Sequence, residues 1–261
     1  LIGTAFGAAV FGAILGPMFG AIADAVGIRL AFGTVGVAAA LLAAWAASRE
    51  GVPPERQRPR AVGRAFRDRA FLGGLWLNTL PAWLFGTLVV LVPLRLDEGG
   101  FTPFAIGAVF LAAGLVETVV NPLLGRFSDR RGRLLPIRAA LAASVLVAIA
   151  FAGLDDAYAV AALAILAAIS FGAFYTPGMA LVSDRAEAAG LSQAIGFGIM
   201  NTAWALGNGS GPAAAGAIAD VAGDAVPYLL AAALCLLTLL ATGTVRAPTT
   251  RRVAGDGSSA R

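Results

Sequence analysis

The chain has 261 residues, of which 59% are hydrophobic and 13% are charged. Soluble domains are about 45–50% apolar and about 25% charged, so this composition is typical of a membrane protein and excludes a disordered or collagen-like chain. The sequence contains no histidine, which excludes a histidine triad, and its single cysteine, Cys235, excludes an internal disulfide. The net charge of +4 comes from arginines in short segments between apolar runs, which fits lipid headgroups rather than nucleic acid.

Eight apolar runs are long enough to cross the hydrocarbon core, which requires about 20 helical residues. In chain order they are 1–23, 30–48, 71–94, 103–124, 135–154, 157–182, 192–219 and 226–245. Irregular backbone and open sheets are not stable against lipid, so runs of this length predict helices. The predicted fold class is an all-α membrane protein with eight transmembrane helices. Pro81, Pro122 and Pro177 are the candidates for breaking their spans.

The arginines predict the orientation of the chain. Seventeen of the 19 fall on one side of the predicted spans, and only Arg29 and Arg95 fall on the other. The positive-inside rule makes the first side cytoplasmic. With eight crossings, both chain ends are then cytoplasmic, and we expect a multi-pass protein of the cell membrane. Because the chain begins inside an apolar run, we expect its natural beginning to be missing.

A short internal repeat predicts a duplicated architecture. Residues 20–24 read Gly-Ala-Ile-Ala-Asp and recur at 216–220, and a Gly-Pro pair precedes each copy. The copies are six predicted spans apart, which indicates two parallel halves of six helices. Four helices are then expected ahead of Leu1.

This arrangement resembles the major facilitator superfamily, whose two halves are parallel six-helix bundles. Residues 125–133 resemble its loop signature Gly-x-x-x-Asp-Arg-x-Gly-Arg, and residues 12–21 resemble the helix-five signature Gly-x-x-x-Gly-Pro-x-x-Gly-Gly of proton-coupled exporters, with Ala21 as the last residue. The resemblance implies helices 5–12 of a twelve-helix, two-bundle transporter that mostly works as a monomer. The corresponding domains are 1–48 (last two helices of the N-terminal bundle), 49–70 (Arg-rich cytoplasmic central loop), 71–245 (six-helix C-terminal bundle) and 246–261 (cytoplasmic tail).

The loop motif is predicted to be a gating loop. Asp129 is expected to accept hydrogen bonds from helix N-terminal amides or to pair with Arg130 or Arg133, and Gly132 is expected to adopt a positive φ. The predicted gating residues are Gly125, Asp129, Arg130, Gly132 and Arg133. The alternative is a plain loop that serves only to orient the chain.

The exporter-like helix motif consists of Gly12, Gly16, Pro17 and Gly20. Its glycines form a smooth stripe that permits close approach of another helix, and its proline favours a kink. Ordinary helix packing is the alternative, and the implication of export comes from the resemblance alone.

Glu117 is the only acidic residue inside a predicted span. A charge facing lipid costs several kcal/mol, so the side chain is expected to face a cavity or a partner. Gly114, Asn121 and Ser128 share its helix face. We predict that Glu117 and Asn121 couple protons or a cationic substrate to transport, and the alternative is a protonated structural glutamate.

Polar and aromatic residues within the spans predict the lining of a substrate cavity. Such a lining suits an amphipathic or cationic organic solute, although helix packing remains the alternative for each residue. The cavity candidates are Asn78, Trp83, Tyr175, Asn201, Trp204 and Asn208.

The predicted function is export of a small organic molecule by alternating access, with protons as the coupling ion. The expected partners are the lipid bilayer, the substrate and protons, with no nucleic acid, cofactor or metal. Three alternatives stay open: a proton-coupled uptake symporter of the same fold, a membrane-embedded enzyme, and a chain that does not transport by itself because half of the cavity wall is missing. Enzymes of that kind need clustered acids or histidines, and the adjacent acidic pairs, Asp97-Glu98 and Asp155-Asp156, lie outside the predicted spans, so we predict a protein that is not an enzyme.

Overall fold

The computed structural model describes residues 26–49 and 59–243, and every regular element within these ranges is a helix. The helices are α1 (Ile28–Ala47), α2 (Pro59–Ala65), α3 (Arg69–Glu98), α4 (Pro103–Arg131), α5 (Leu134–Gly153), α6 (Ala157–Gly172), α7 (Tyr175–Ala188), α8 (Gln193–Ala222) and α9 (Ala225–Gly243). The all-α fold class is confirmed. The predicted span 1–23 and the tail 246–261 lie outside the described residues, as does the first copy of the repeat.

Six helical segments of the described ranges are long and apolar enough to cross a membrane. They are Ile28–Ala47, Arg69–Glu98, Pro103–Ser128, Leu134–Gly153, Ala157–Ala188 and Ala225–Thr242. Helix α8 has 30 residues, as many as α3, but it is not one of the six apolar segments. Its glycines and its polar side chains Asn201, Thr202, Asn208 and Ser210 lower its hydropathy.

Polar residues set the starts of several helices. Asp68 Oδ1 accepts a hydrogen bond from Ala70 N at 2.8 Å at the start of α3, and Asp156 Oδ1 accepts one from Ala159 N at 2.8 Å at the start of α6. These oxygens satisfy amide donors that have no partner within the first helical turn. Thr102 caps α4 in the same way, directly before Pro103.

Glycines bring α3 and α8 into backbone contact. A Cβ on Gly211 would lie 2.5 Å from the Trp83 carbonyl oxygen, and the position of Gly207 against Thr79 is tighter still. Thr79 Oγ1 also donates to the Ala203 carbonyl at 3.0 Å. Small residues permit this approach in a bilayer, where lipid competes equally for apolar surface.

The main core is formed by the inward faces of α3, α5, α6 and α9, with Leu84, Leu141, Phe151 and Val160 fully buried. A second, smaller core lies at the end of the bundle where Arg64, Arg133 and Arg185 are found, hereafter the Arg-rich end. There Ala61 and Ala65 of α2 pack with Phe71, Leu75, Val182, Ala186, Leu191 and Met200. The predicted loop 49–70 therefore contains a packed helix, which anchors it to the ends of α3, α7 and α8.

The predicted span 157–182 is not one helix but two, α6 and α7, separated at Ala173 and Phe174. Pro177 explains the break, since it has no N–H to bond the carbonyl of Ala173, four residues before it, and its ring crowds that carbonyl. The expectation that Pro81 and Pro122 also break their spans is wrong, because both lie inside the continuous helices α3 and α4.

Candidate functional site

Glu117 lies in the middle of α4, which packs against α6 and α7. Its Oε1 accepts a hydrogen bond from Asn121 Nδ2 at 3.3 Å, one helical turn further along. The side chain is partly buried, and none of the ion pairs in the described part of the chain involves it. Glu117 and Asn121 thus share a helix face, as predicted, and their side chains are in direct contact.

The carboxyl group of Glu117 rests against the break between α6 and α7. A Cβ added to Gly172, the last residue of α6, would lie 2.8 Å from Glu117 Oε1 and 3.3 Å from Cδ. Tyr175, the first residue of α7, lies within electrostatic reach of the same carboxyl group. The site therefore combines one carboxyl, one amide and one phenol at a point where a spanning helix is interrupted.

This arrangement can hold a proton or a cation. A carboxyl removed from water favours its neutral, protonated form, whereas a donor such as the Asn121 amide favours the carboxylate. Interrupted helices also mark binding sites in transporters, because irregular backbone at membrane depth occurs where it lines a cavity or lies within protein. Within residues 26–49 and 59–243, no group of three or more Cys, Asp or Glu is placed to hold a metal ion.

The predicted cavity residues do not form one cluster with Glu117. Asn78 is fully buried and donates through Nδ2 to the Gly74 carbonyl at 2.7 Å, while Trp83 packs against the main core. Among the candidates in the described residues, Tyr175 lies within electrostatic reach of Glu117, at the break that the carboxyl group contacts.

Asn201, Trp204 and Asn208 follow one another at intervals of three and four residues on α8, so they share a face that borders the glycines in contact with α3. All three side chains are exposed in the described structure. Lipid tails cannot hydrogen-bond the two side-chain amides, so exposing this face to lipid is unfavourable. We therefore expect it to contact water, substrate or another part of the protein.

The predicted gating loop is mostly helical, which corrects the interpretation of the whole motif as a loop. Gly125, Asp129 and Arg130 lie in the last turns of α4, and only Gly132 and Arg133 connect α4 to α5. Gly132 has φ +83°, as predicted. The Asp129 side chain lies outside the described part of the structure.

Arg133 pairs with a residue that the sequence did not single out. Its Nη1 lies 2.5 Å from Oδ2 of Asp184 on α7. The next residue, Arg185, lies with Nη1 3.9 Å from Oδ2 of Asp68, the residue that caps α3. The sequence signal for these pairs is an adjacent acid and base near the end of an apolar run, which by itself predicts only an orienting charge.

The exporter-like motif of Gly12, Gly16, Pro17 and Gly20 lies outside the described residues. Its predicted role in close helix packing stays a prediction.

Residues 1–197 match the sequence model of the Major Facilitator Superfamily. The chain belongs to this superfamily. The match covers the carboxyl site on α4, the break between α6 and α7 and the Arg-rich end. Membership supports a multi-pass membrane transporter and points to a protein without enzymatic activity.

A curated relative in the superfamily is the probable vesicular acetylcholine transporter-B of Danio rerio, which is 30% identical over 195 residues. The aligned region is 69% of this chain and 39% of that protein. The chain thus spans well under half the length of the relative.

Proposed function

We propose that the protein exports a small organic molecule, with a cationic solute as the favoured substrate, by exchanging it for protons at Glu117. The observation that carries this proposal is the placement of a partly buried carboxyl beside an interrupted helix, with Asn121 as its hydrogen-bond donor. A carboxylate at membrane depth can accept either a proton or an organic cation, and the two compete for the same charge.

The neighbours of Glu117 favour a cation over an anion. Tyr175 begins α7 three residues after Gly172, which lies against the Glu117 carboxyl group, and an aromatic ring together with a carboxylate is a common setting for quaternary ammonium groups. The name of the zebrafish relative identifies acetylcholine, a quaternary ammonium compound, as its cargo. That name supports a cationic substrate class for this chain.

The exposed row of Asn201, Trp204 and Asn208 is proposed as a second wall of the transport path. Its amides offer hydrogen bonds, and its indole offers an apolar face for an amphipathic solute. Substitution of these residues is expected to change the KM for substrate without reducing folding stability, because their side chains do not pack in either core.

The test uses the purified protein in proteoliposomes, with acetylcholine and the fluorescent cation ethidium as probes. An acid interior drives probe uptake by an exchanger, whereas an acid exterior drives it by a symporter, so the two gradients separate export from uptake. Glu117→Gln is expected to abolish gradient-driven flux, since glutamine remains neutral throughout the cycle and offers no charge for the proton and the cation to compete for. Glu98→Gln, the same change at an exposed helix end, is the matched control. Gradient-driven flux that survives Glu117→Gln contradicts the proposal.

The location proposed is the cell membrane, with the Arg-rich end on the cytoplasmic side. The name of the relative offers a vesicle membrane as the alternative. Cys235 is fully buried, so single introduced cysteines report orientation against a low background. In intact cells, an impermeant maleimide is expected to label Leu154→Cys and to leave Ala188→Cys unlabelled, and the reverse result would overturn the orientation.

A further inference from the structure

A cavity of about 350 Å³ opens at the end of the bundle opposite the Arg-rich end. Its walls come from the ends of α3 and α5 and from the start of α9, and the largely buried Arg95 and Phe151 form its floor. We call it the Arg95 pocket. Its lining residues lie on neither α4, α6, α7 nor α8, so the pocket is separate from the Glu117 site.

The charged groups of the Arg95 pocket give it a net negative charge. The carboxylates of Glu98, Asp155 and Asp224 line it, against the single guanidinium of Arg95. Arg95 is already occupied, because its terminal nitrogens donate to two backbone carbonyls at the end of α5 and to Asp155. Glu98 and Asp224 take part in none of the ion pairs in the described part of the chain. The uncompensated charge favours a cationic ligand.

A buried hydroxyl lies beneath the pocket. Tyr228 is only 2% exposed, and its ring stacks on Phe151 with 4.8 Å between the ring centroids. The guanidinium carbon of Arg95 lies 5.8 Å from the centre of the Tyr228 ring, and the hydroxyl is within electrostatic reach of Arg95 and Asp224. These three neighbours of Tyr228 all line the pocket, which places the hydroxyl against its floor. The hydroxyl oxygen reaches hydrogen-bond geometry with none of the described residues, which is unfavourable for a buried polar group.

We propose that the Arg95 pocket binds a primary ammonium group. Such a group carries a positive charge for the free carboxylate of Asp224 and N–H donors that reach the Tyr228 oxygen directly or through one water molecule, whereas a quaternary ammonium has no N–H to donate. Ligand sites range from about 300 to 1,000 Å³, so the volume suits a small amine rather than a drug-sized molecule. A metal ion fits less well, since no group of three or more Cys, Asp or Glu in the described ranges is placed to hold one.

Two sources can supply a primary ammonium at this end of the bundle. One is a free amine in the aqueous phase, and the other is the headgroup of phosphatidylethanolamine. The pocket lies at the ends of spanning helices, where water and lipid headgroups meet.

The experiment measures the thermal unfolding midpoint of the full chain in maltoside detergent, which rises with the concentration of a ligand that binds the folded state. Ethanolamine and choline are the probes, because they differ only in the methylation of the nitrogen. Glu117→Gln is the background, so that the carboxylate of the proposed transport site is absent. At equal ionic strength, ethanolamine is expected to match the effect of choline at an about tenfold lower concentration, as one hydrogen bond to a charged group predicts.

Three variants in this background test the assignment. Tyr228→Phe keeps the ring on Phe151, and it is expected to retain the ligand-free midpoint and to lose the preference for ethanolamine. Asp224→Asn is expected to raise the required ethanolamine concentration about two- to fivefold, as loss of an exposed charge predicts. Asp220→Asn, the same change at an exposed residue that does not line the pocket, is the matched control and is expected to change nothing.

Nanodiscs of phosphatidylcholine, with and without phosphatidylethanolamine, distinguish the two sources. If the lipid headgroup is the ligand, phosphatidylethanolamine raises the midpoint of the starting protein more than that of Tyr228→Phe, and added ethanolamine then has a smaller effect. If a free amine is the ligand, the response to ethanolamine is the same in both membranes.

Equal responses to ethanolamine and choline, together with equal midpoints in the two membranes, overturn the proposal. A preference for the primary amine that survives Tyr228→Phe also overturns it. The proposal is independent of proton exchange at Glu117, because gradient-driven flux that survives Glu117→Gln refutes the proposed function without affecting amine binding at the Arg95 pocket.

Discussion

Replacing Gly172 with alanine tests whether Glu117 acts through its position against the helix break. The added Cβ would lie 2.8 Å from Oε1, and ordinary van der Waals contact starts at 3.4 Å, so the carboxyl must move by about 0.6 Å. The displaced atom is the end of a flexible side chain, so the backbone can stay in place. The present hydrogen bond to Asn121, 3.3 Å long, is weakened or lost by a shift of this size.

A hydrogen bond to a charged group contributes about 1.5–3 kcal/mol, which corresponds to a rate change on the order of ten- to a hundredfold. We therefore expect gradient-driven flux through Gly172→Ala to fall by this factor in proteoliposomes, although the chemistry of Glu117 is unchanged. Gly107→Ala on α4 is the control, since a Cβ there meets nothing within 4 Å and both variants gain up to about 1 kcal/mol of helix propensity. Equal flux through the two variants would refute the reasoning.

Two predictions concern stability and are checked by thermal unfolding in detergent. The Arg95 side chain is largely buried and donates to two backbone carbonyls at the end of α5, so Arg95→Gln is expected to lower the free energy of unfolding by about 1.5–3 kcal/mol. Asp155, its ion-pair partner, is exposed, so Asp155→Asn is expected to leave the unfolding midpoint almost unchanged. Similar losses in both variants would contradict this prediction. Gly211→Ala places a Cβ against the backbone of α3 and is expected to lower the free energy of unfolding by about 1–3 kcal/mol. Gly209→Ala places a Cβ in open space and is expected to leave the protein equally stable or more stable. An unchanged thermal unfolding midpoint in Gly211→Ala would show that α3 and α8 can move apart without loss of stability.

The apolar runs predicted the spans well, but they located helix ends poorly. Apolar residues indicate where lipid is crossed, whereas backbone hydrogen bonds continue a helix past the lipid boundary. Helix α4 thus runs to Arg131 instead of ending at residue 124, and it takes most of the predicted gating loop with it. The interruption after Gly172 was signalled by Pro177, but Pro81 and Pro122 give the same signal inside continuous helices, so a proline alone does not locate a break.

The candidate site was predictable where it depends on one helix and hidden where it depends on packing. Spacing along α4 was sufficient to pair Glu117 with Asn121. The role of Gly172 was not predictable, because its importance arises from a side chain on another helix. Asp184 was overlooked for the same reason, since its partner Arg133 lies about 50 residues away in sequence.

The backbone contact between α3 and α8 assigns packing and exposed surface on α8 to different residues. The glycines fix where α8 lies against α3, whereas the exposed residues Asn201, Trp204 and Asn208 pack in neither hydrophobic core. Under the proposed function, substitutions at these three exposed positions therefore change substrate choice without loss of folding stability. Libraries for altering specificity are best confined to Asn201, Trp204 and Asn208, with the glycines held constant.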